Sequence, residues 1–236
     1  MTLNNKLKEV QDEYLRRMTS GNGQLLHQVE EYVSSRSGKM LRPRLTLMAA
    51  KTLGDDTFDS RRTLLLAVAV EMLHNASLLH DDVIDHADNR RGAPSVNAQW
   101  GNAAAVLVGD YLLAQIMQLL NELDDSDAAR RINDTVAAMV ESELLALDLG
   151  GCPKSEEQYI SIIDGKTARL FSTAAALGNP AYEEYGLHYG RYFQLCDDMH
   201  DGESTPWTKK LIKQELDALR LLESKELSLD LPTDLQ

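Results

Sequence analysis

From Thr63 to Leu79 the chain carries a single formal charge, Glu71, and then runs directly into Asp81-Asp82-Val83-Ile84-Asp85. A stretch this apolar is stable only when buried, and its Ala, Leu and Met residues make it a central helix, expected over 60–86. Stability alone would not end a buried helix in three aspartates. A second such end, Asp197-Asp198-Met199-His200-Asp201, closes the stretch Tyr185 to Cys196. Residues three and four apart share a helix face, so each cluster is expected to aim three carboxylates at one spot. Carboxylates crowded together repel unless multivalent cations lie between them. Oxygen-only ligands suit Mg²⁺, which keeps several waters and completes its shell with substrate phosphates. The pattern predicts a metal–diphosphate clamp.

The motif by itself is weak. A third copy, Asp55-Asp56-Thr57-Phe58-Asp59, follows Gly54 with no long helix behind it. It reads as an acidic turn or helix start, where Asp caps free N–H groups.

Helical periodicity runs between prolines 43, 94, 153, 180, 206 and 232, whereas alternating strand-like stretches with turn dipeptides are missing. Helices are expected at 3–18, 22–36, 41–53, 60–86, 101–123, 126–149, 155–177, 181–201 and 206–226. Ser155 with Gln158, and Asp127, are expected N-caps. The fold class is all-α: residues 1–236 as one helical domain, with two core helices presenting acids at one end of a central cavity.

A net charge of −13 with no Lys/Arg block excludes a nucleic-acid surface. Two cysteines, Cys152 and Cys196, give neither a disulfide framework nor zinc spacing, which fits a reduced, cytoplasmic setting. Residues 1–18 mix both charge signs, unlike a signal peptide, and uninterrupted apolar runs such as 64–70 and 103–108 are short. A soluble protein with no transmembrane segment is expected.

An anionic substrate also needs fixed cations. Gly38-Lys39-Met40-Leu41-Arg42-Pro43 places Lys and Arg just before a helix start, a position that favours phosphate. Arg90-Arg91-Gly92 follows the first acidic cluster, and the planar guanidinium suits diphosphate. His74 lies two turns before Asp81, as a ligand contact or a satisfied core histidine. Lys166-Thr167 sits in an apolar helical segment, where Lys either meets an anion or snorkels to water.

Taken in order, Gly38-Lys39-x-x-Arg42-Pro43, His74, Leu79-His80-Asp81-Asp82-x-x-Asp85 and Arg90-Arg91-Gly92-x-Pro94 closely resemble the trans-type isoprenyl diphosphate synthases. So do Gly109-Asp110-Tyr111-Leu112-Leu113, Gly165-Lys166-Thr167-Ala168-x-Leu170-Phe171 and Phe193-Gln194-Leu195-x-Asp197-Asp198. The resemblance runs from about residue 25 to 201. It implies an all-α bundle around a large cavity that condenses isopentenyl diphosphate with an allylic diphosphate. By resemblance Asp81, Asp82, Asp85, Asp197 and Asp198 hold Mg²⁺ on the allylic diphosphate, and Asp201 matches the third acid of the second cluster. Arg90, Lys166 and Thr167 match allylic-side contacts, with Gln194 near them. Lys39, Arg42, His74 and Arg91 match the isopentenyl diphosphate site, with Gly38 beside them. Ala76 and Ser77, about one turn before Asp81, stand where large aromatics shorten the product, so a product of about C20 or longer is expected. Leu73, Met72, Leu113, Ile116 and Met117 are candidates for a deeper floor; small residues also simply ease helix packing.

The family's Gly-Lys-rich loop after the second cluster is not recognisable in Gly202–Gln236, so the C-terminal helices read as reduced. Lys209 and Lys210 either replace that loop's charge or decorate a terminal helix. The family usually forms homodimers, and a heteromeric partner is the other possibility. Two competing functions follow: a non-catalytic or partner-dependent subunit of such a synthase, and a terpene cyclase. Two complete acidic clusters argue against the first. The run Asp197–Pro206 lacks the Asn/Asp, Ser/Thr and Glu pattern of the second.

Overall fold

The protein, seen as a computed structural model, is described at residues 1–19, 21–36 and 38–222. Among the described residues it is all-α apart from one two-residue-per-strand hairpin, and the chain groups into two compact units.

The first unit takes residues 1–44 and 59–129. It holds α1 (Leu3–Met18), α2 (Gln24–Ser34), the first residues of α3 (Leu41–Lys51), and α5 (Arg61–Ile84). After α5 come β1 (Asn89–Arg90), β2 (Ala93–Pro94), α6 (Val96–Trp100) and α7 (Asn102–Leu123). Thr2 and Ser60 cap α1 and α5, each side chain accepting from a backbone N–H three residues on. Val10, Tyr14 and Met18 of α1, Leu65, Val68 and Met72 of α5, and Leu112, Ile116 and Leu119 of α7 are buried together. Where α7 faces α5, Gly109 leaves room for the His80 ring: a Cβ there would stand 2.3 Å from His80 Nε2, so a larger residue would displace that side chain.

The second unit takes residues 45–58 and 130 onward. It contains α4 (Asp55–Asp59) up to Phe58 and most of α8 (Ser126–Asp148). Beyond these lie α9 (Glu156–Ile163), a π-helical turn (Asp164–Ala168), α10 (Arg169–Gly178), a 3₁₀ turn (Pro180–Tyr182), α11 (Glu183–His200) and α12 (Thr208–Leu222). Phe171 and Tyr189 meet edge to face at 5.3 Å in its core. Gly190 brings α11 onto the π turn, since a Cβ would lie 2.5 Å from Ala168 Cα.

Four details correct the sequence reading. Residues 155–177 form α9, the π turn and α10 rather than one regular helix. The cap of α8 is Asp125, whose Oδ1 accepts from Ala128 N at 3.0 Å, with Asp127 in the first turn. The hairpin was not expected; its turn residues Arg91 and Gly92 have φ of 53° and 75°, the paired positive values of a type I′ turn. Finally, α5 and α7 are long and apolar enough to cross a membrane by length and composition. Counting only uninterrupted runs missed this, because Glu71 and His74 break α5. Most of the apolar window of α5 is buried within the protein, as in a core helix. Residues 223–226 of the last expected helix lie outside the described residues.

Candidate functional site

Asp81 and Asp82 occupy the last turn of α5 and Asp85 is its C-cap. The free carbonyls of a helix C-terminus carry partial negative charge, which favours cations there rather than acids. The protein offsets this locally. Asp82, 3% exposed, receives both Nε and Nη2 of Arg90 on Oδ1, at 2.9 and 2.5 Å. Its carbonyl accepts from Asn97 Nδ2 at 3.0 Å and from Ala87 N at 2.9 Å, which satisfies the helix end. The hairpin after α5 is what turns Arg90 back onto Asp82.

The same hairpin brings Arg91 to the segment before α3. Arg91 Nη1 donates to the Arg36 carbonyl at 2.7 Å, and a Cβ on Gly38 would sit 2.9 Å from Arg91 Nη2. Gly38 thus leaves room for a guanidinium. Arg36, Arg90 and Arg91 line a cavity of about 50 Å³ together with Asp82, Asn75 and Tyr32. His74 is held neutral, well below its ordinary pKa, by burial and then by the nearby guanidiniums of Arg42, Arg91 and Arg90. Glu71, one turn earlier, is pushed up by burial and drawn back by Arg42 and Arg91. The structure therefore gathers Gly38, Arg42, His74, Asp82, Arg90 and Arg91, six of the residues singled out in the sequence. Lys39 is exposed. Ala76 is buried and Ser77 half-buried, its hydroxyl donating to the His74 carbonyl at 2.9 Å. Met72, Leu73 and Ile116 are buried, but Met117 is 62% exposed and forms no part of a buried floor.

In the second unit, Asp197 and Asp198 lie in the last turn of α11, with Asp201 as C-cap. Asp198 is oriented by neutral donors: Gln194 Nε2 donates to Oδ1 at 2.6 Å, and the Tyr159 hydroxyl donates to Oδ2. Gln194 Oε1 accepts in turn from Thr167 Oγ1 at 2.6 Å. Lys166, in the π turn beside Thr167, pairs with Glu143 at 2.8 Å. A π turn widens the helix by one residue and re-aims its side chains, a device frequent at functional sites. Asp164, at its start, is gripped by Arg191 through Nε and Nη2, at 2.5 and 2.7 Å. Lys210 is tied to Glu156 at 2.8 Å on the surface. Asp55 pairs with Lys51 in the first turn of α4, the helix-start role expected for the third acidic copy.

Among the described residues, no group of three or more Asp, Glu, His or Cys side chains is arranged to hold a metal ion. The expected convergence of three carboxylates at each helix end is not met. Asp82 turns to Arg90 and Asp198 to Tyr159, while Asp85 and Asp201 fall on the caps where the helices stop. The all-oxygen donors still fit Mg²⁺, which takes one or two carboxylates plus phosphate oxygens and water rather than a cage made wholly of protein. Sequence reasoning missed Arg36, Asn97 and Tyr159. Arg36 stands two residues before Gly38, which was a usable signal; Asn97 and Tyr159 gave none.

A family model described as polyprenyl synthetase matches residues 23–216. The chain belongs to that family. It is 38% identical over 200 residues to an all-trans-nonaprenyl-diphosphate synthase (geranyl-diphosphate specific) of Rhodobacter capsulatus, covering 80% of this chain and 61% of that protein. To the octaprenyl diphosphate synthase of Escherichia coli it is 39% identical over 189 residues, 75% of this chain and 58% of the other. The chain thus spans about three fifths of the length of these curated relatives. Among solved structures it is similar to a polyprenyl synthase from Caulobacter crescentus complexed with calcium and isoprenyl diphosphate. There the TM-score is 0.78 and the identity 33%, covering 83% of this chain and 62% of that one.

Proposed function

We propose that the chain carries out Mg²⁺-dependent prenyl elongation in the cytoplasm, condensing isopentenyl diphosphate with an allylic diphosphate to a product of about C20 or longer. What supports this most is the gathering of Arg42, Arg90 and Arg91 around a neutral His74, beside the acid-tipped end of α5, in a chain of net charge −13. Guanidiniums held in place before an anion arrives need no reorganisation to stabilise it. Asp81, Asp82 and Asp85, and likewise Asp197, Asp198 and Asp201, would hold the metal ions. Bound Mg²⁺ supplies Lewis-acid neutralisation of the diphosphate charge.

In this reading Arg90 uses Nε and Nη2 on Asp82 and keeps Nη1 for a phosphate oxygen. Lys166 and Thr167 bind the allylic diphosphate with Gln194 beside them. Lys39, Arg42, His74 and Arg91 hold isopentenyl diphosphate, with Gly38 making room. The allylic C–O bond breaks and its electrons leave with the diphosphate. The double bond of isopentenyl diphosphate then forms the new C–C bond, and loss of a proton to the departed diphosphate restores a double bond. Charge develops on the leaving diphosphate, so Arg90 and Lys166 favour the transition state over the ground state. The apolar wall of α5 keeps water from the cation. Ala76 and Ser77 leave space for a growing tail. A homodimer is part of the proposal: Val106, Leu107 and Met117 are exposed on α7, and a second copy would cover apolar surface of that kind.

The test is the purified chain with Mg²⁺, labelled isopentenyl diphosphate and farnesyl diphosphate, its products resolved by length. The expected result is label in products of C20 or longer, abolished by chelation. No incorporation overturns the proposal.

A further inference from the structure

Tyr159 carries a hydrogen bond that packing does not require. Its ring is buried among Ile163, Leu195 and Leu211, with Trp207 at 6.4 Å, and a phenylalanine would fill the same space. The hydroxyl nevertheless reaches from α9 to a carboxylate at the end of α11. It can only donate there, because a carboxylate oxygen only accepts. The other oxygen of Asp198 is fixed with equal economy. Thr167 donates to Gln194 Oε1, which forces the amide to present Nε2 to Asp198 Oδ1. A carboxylate has about four lone-pair sites, so two fixed donors stop its rotation and leave one free site on each oxygen.

We propose that Tyr159 is a positioning residue: its hydroxyl, acting with Gln194, sets the plane of the Asp198 carboxylate so that the remaining lone pairs face a metal–diphosphate ligand. The inference rests on the function proposed above. Partners that orient a metal-ligating group are worth roughly 10–100-fold in metal affinity, although they never touch the ion.

The experiment is titration of Mn²⁺ in the presence of inorganic diphosphate, read from the electron paramagnetic resonance of free Mn²⁺. Wild-type protein, Tyr159→Phe and Asp198→Asn are compared, with thermal melting followed in parallel. Tyr159→Phe is expected to weaken Mn²⁺ binding about tenfold while keeping a cooperative melt. Unchanged or tighter binding by this variant, with wild-type protein binding normally, overturns the positioning role alone. Failure of the wild-type protein to bind Mn²⁺ overturns the functional reading and this inference with it. If Tyr159→Phe does not fold, Gln194→Leu repeats the test from the other oxygen. A similar loss supports the proposal, and no loss overturns it.

Discussion

The helices α5 and α11 end in the same acidic pattern, yet they hold their carboxylates by different chemistry. Asp82 is neutralised by a guanidinium, whereas Asp198 is oriented by a phenol and a carboxamide that carry no charge. Glu30 of α2 is a third case. It is 1% exposed, and among the described residues neither oxygen has a hydrogen-bond donor, the His27 imidazole standing 3.6 Å from Oε2. Burial alone pushes its pKa up to about 7. A buried acid can thus be compensated by charge, compensated by direction, or left to take a proton. The choice fixes what each can do: Arg90 sets the charge at the end of α5, and Tyr159 sets an angle at the end of α11.

The largest effect should come from removing an acid itself. Asp81→Ala is expected to slow elongation by about 10³-fold in single-turnover assays, comparable to or beyond the loss of one preorganised transition-state contact. A rate within tenfold of wild type would mean that the end of α5 is not part of the reaction.

Next comes Glu30. Its folded pKa is raised above the unfolded value of 4.5, so the fold favours the protonated form. The stability this brings is complete below about pH 4.5 and is lost as pH rises through about 7. Glu30→Gln should therefore flatten the pH profile in urea unfolding and gain about 3 kcal/mol at pH 8. A steeper profile in the variant would contradict the assignment.

Arg90→Leu should lose about 2 kcal/mol, because it leaves Asp82 buried without its cation. The loss stays below the 3–5 kcal/mol of a fully buried pair because Arg90 is 40% exposed. Tyr159→Phe, which removes one neutral donor, should lose only about 1 kcal/mol. Equal losses from the two would erase the distinction between compensation by charge and by direction.

Ala76→Tyr should shift products shorter and, because Ala76 is buried, cost about 1–3 kcal/mol of stability; unchanged lengths in the folded variant would remove Ala76 from that role. Asp55→Ala should change elongation less than about twofold, since Asp55 starts a surface helix and pairs only with Lys51 among the described residues.

Much of this was legible in the sequence because helix extent follows local patterning. Leu3–Met18 was placed to the residue, and α5 to within two residues at either end. Context also separated the third acidic copy from the other two. What escaped was set by tertiary packing. The β1–β2 turn puts a non-glycine residue, Arg91, at positive φ, and no dipeptide rule points to Arg-Gly as it would to Asn-Gly. The π turn has no propensity signature; it exists because Gly190 lets α11 approach Ala168 and because Arg191 grips Asp164. Spacing of three and four predicted carboxylates on one face, but not that Arg90, brought back by the hairpin, and Tyr159, distant in sequence, would claim one acid at each end. Periodicity shows which residues share a face, and not which partner reaches them.

The most direct measurement is anomalous diffraction from crystals grown with Mn²⁺ and inorganic diphosphate. The account predicts Mn²⁺ peaks about 2.1 Å from carboxylate oxygens at the ends of α5 and α11, each sharing a diphosphate oxygen. Peaks confined to Asp55–Asp59, or none at either helix end, would contradict it.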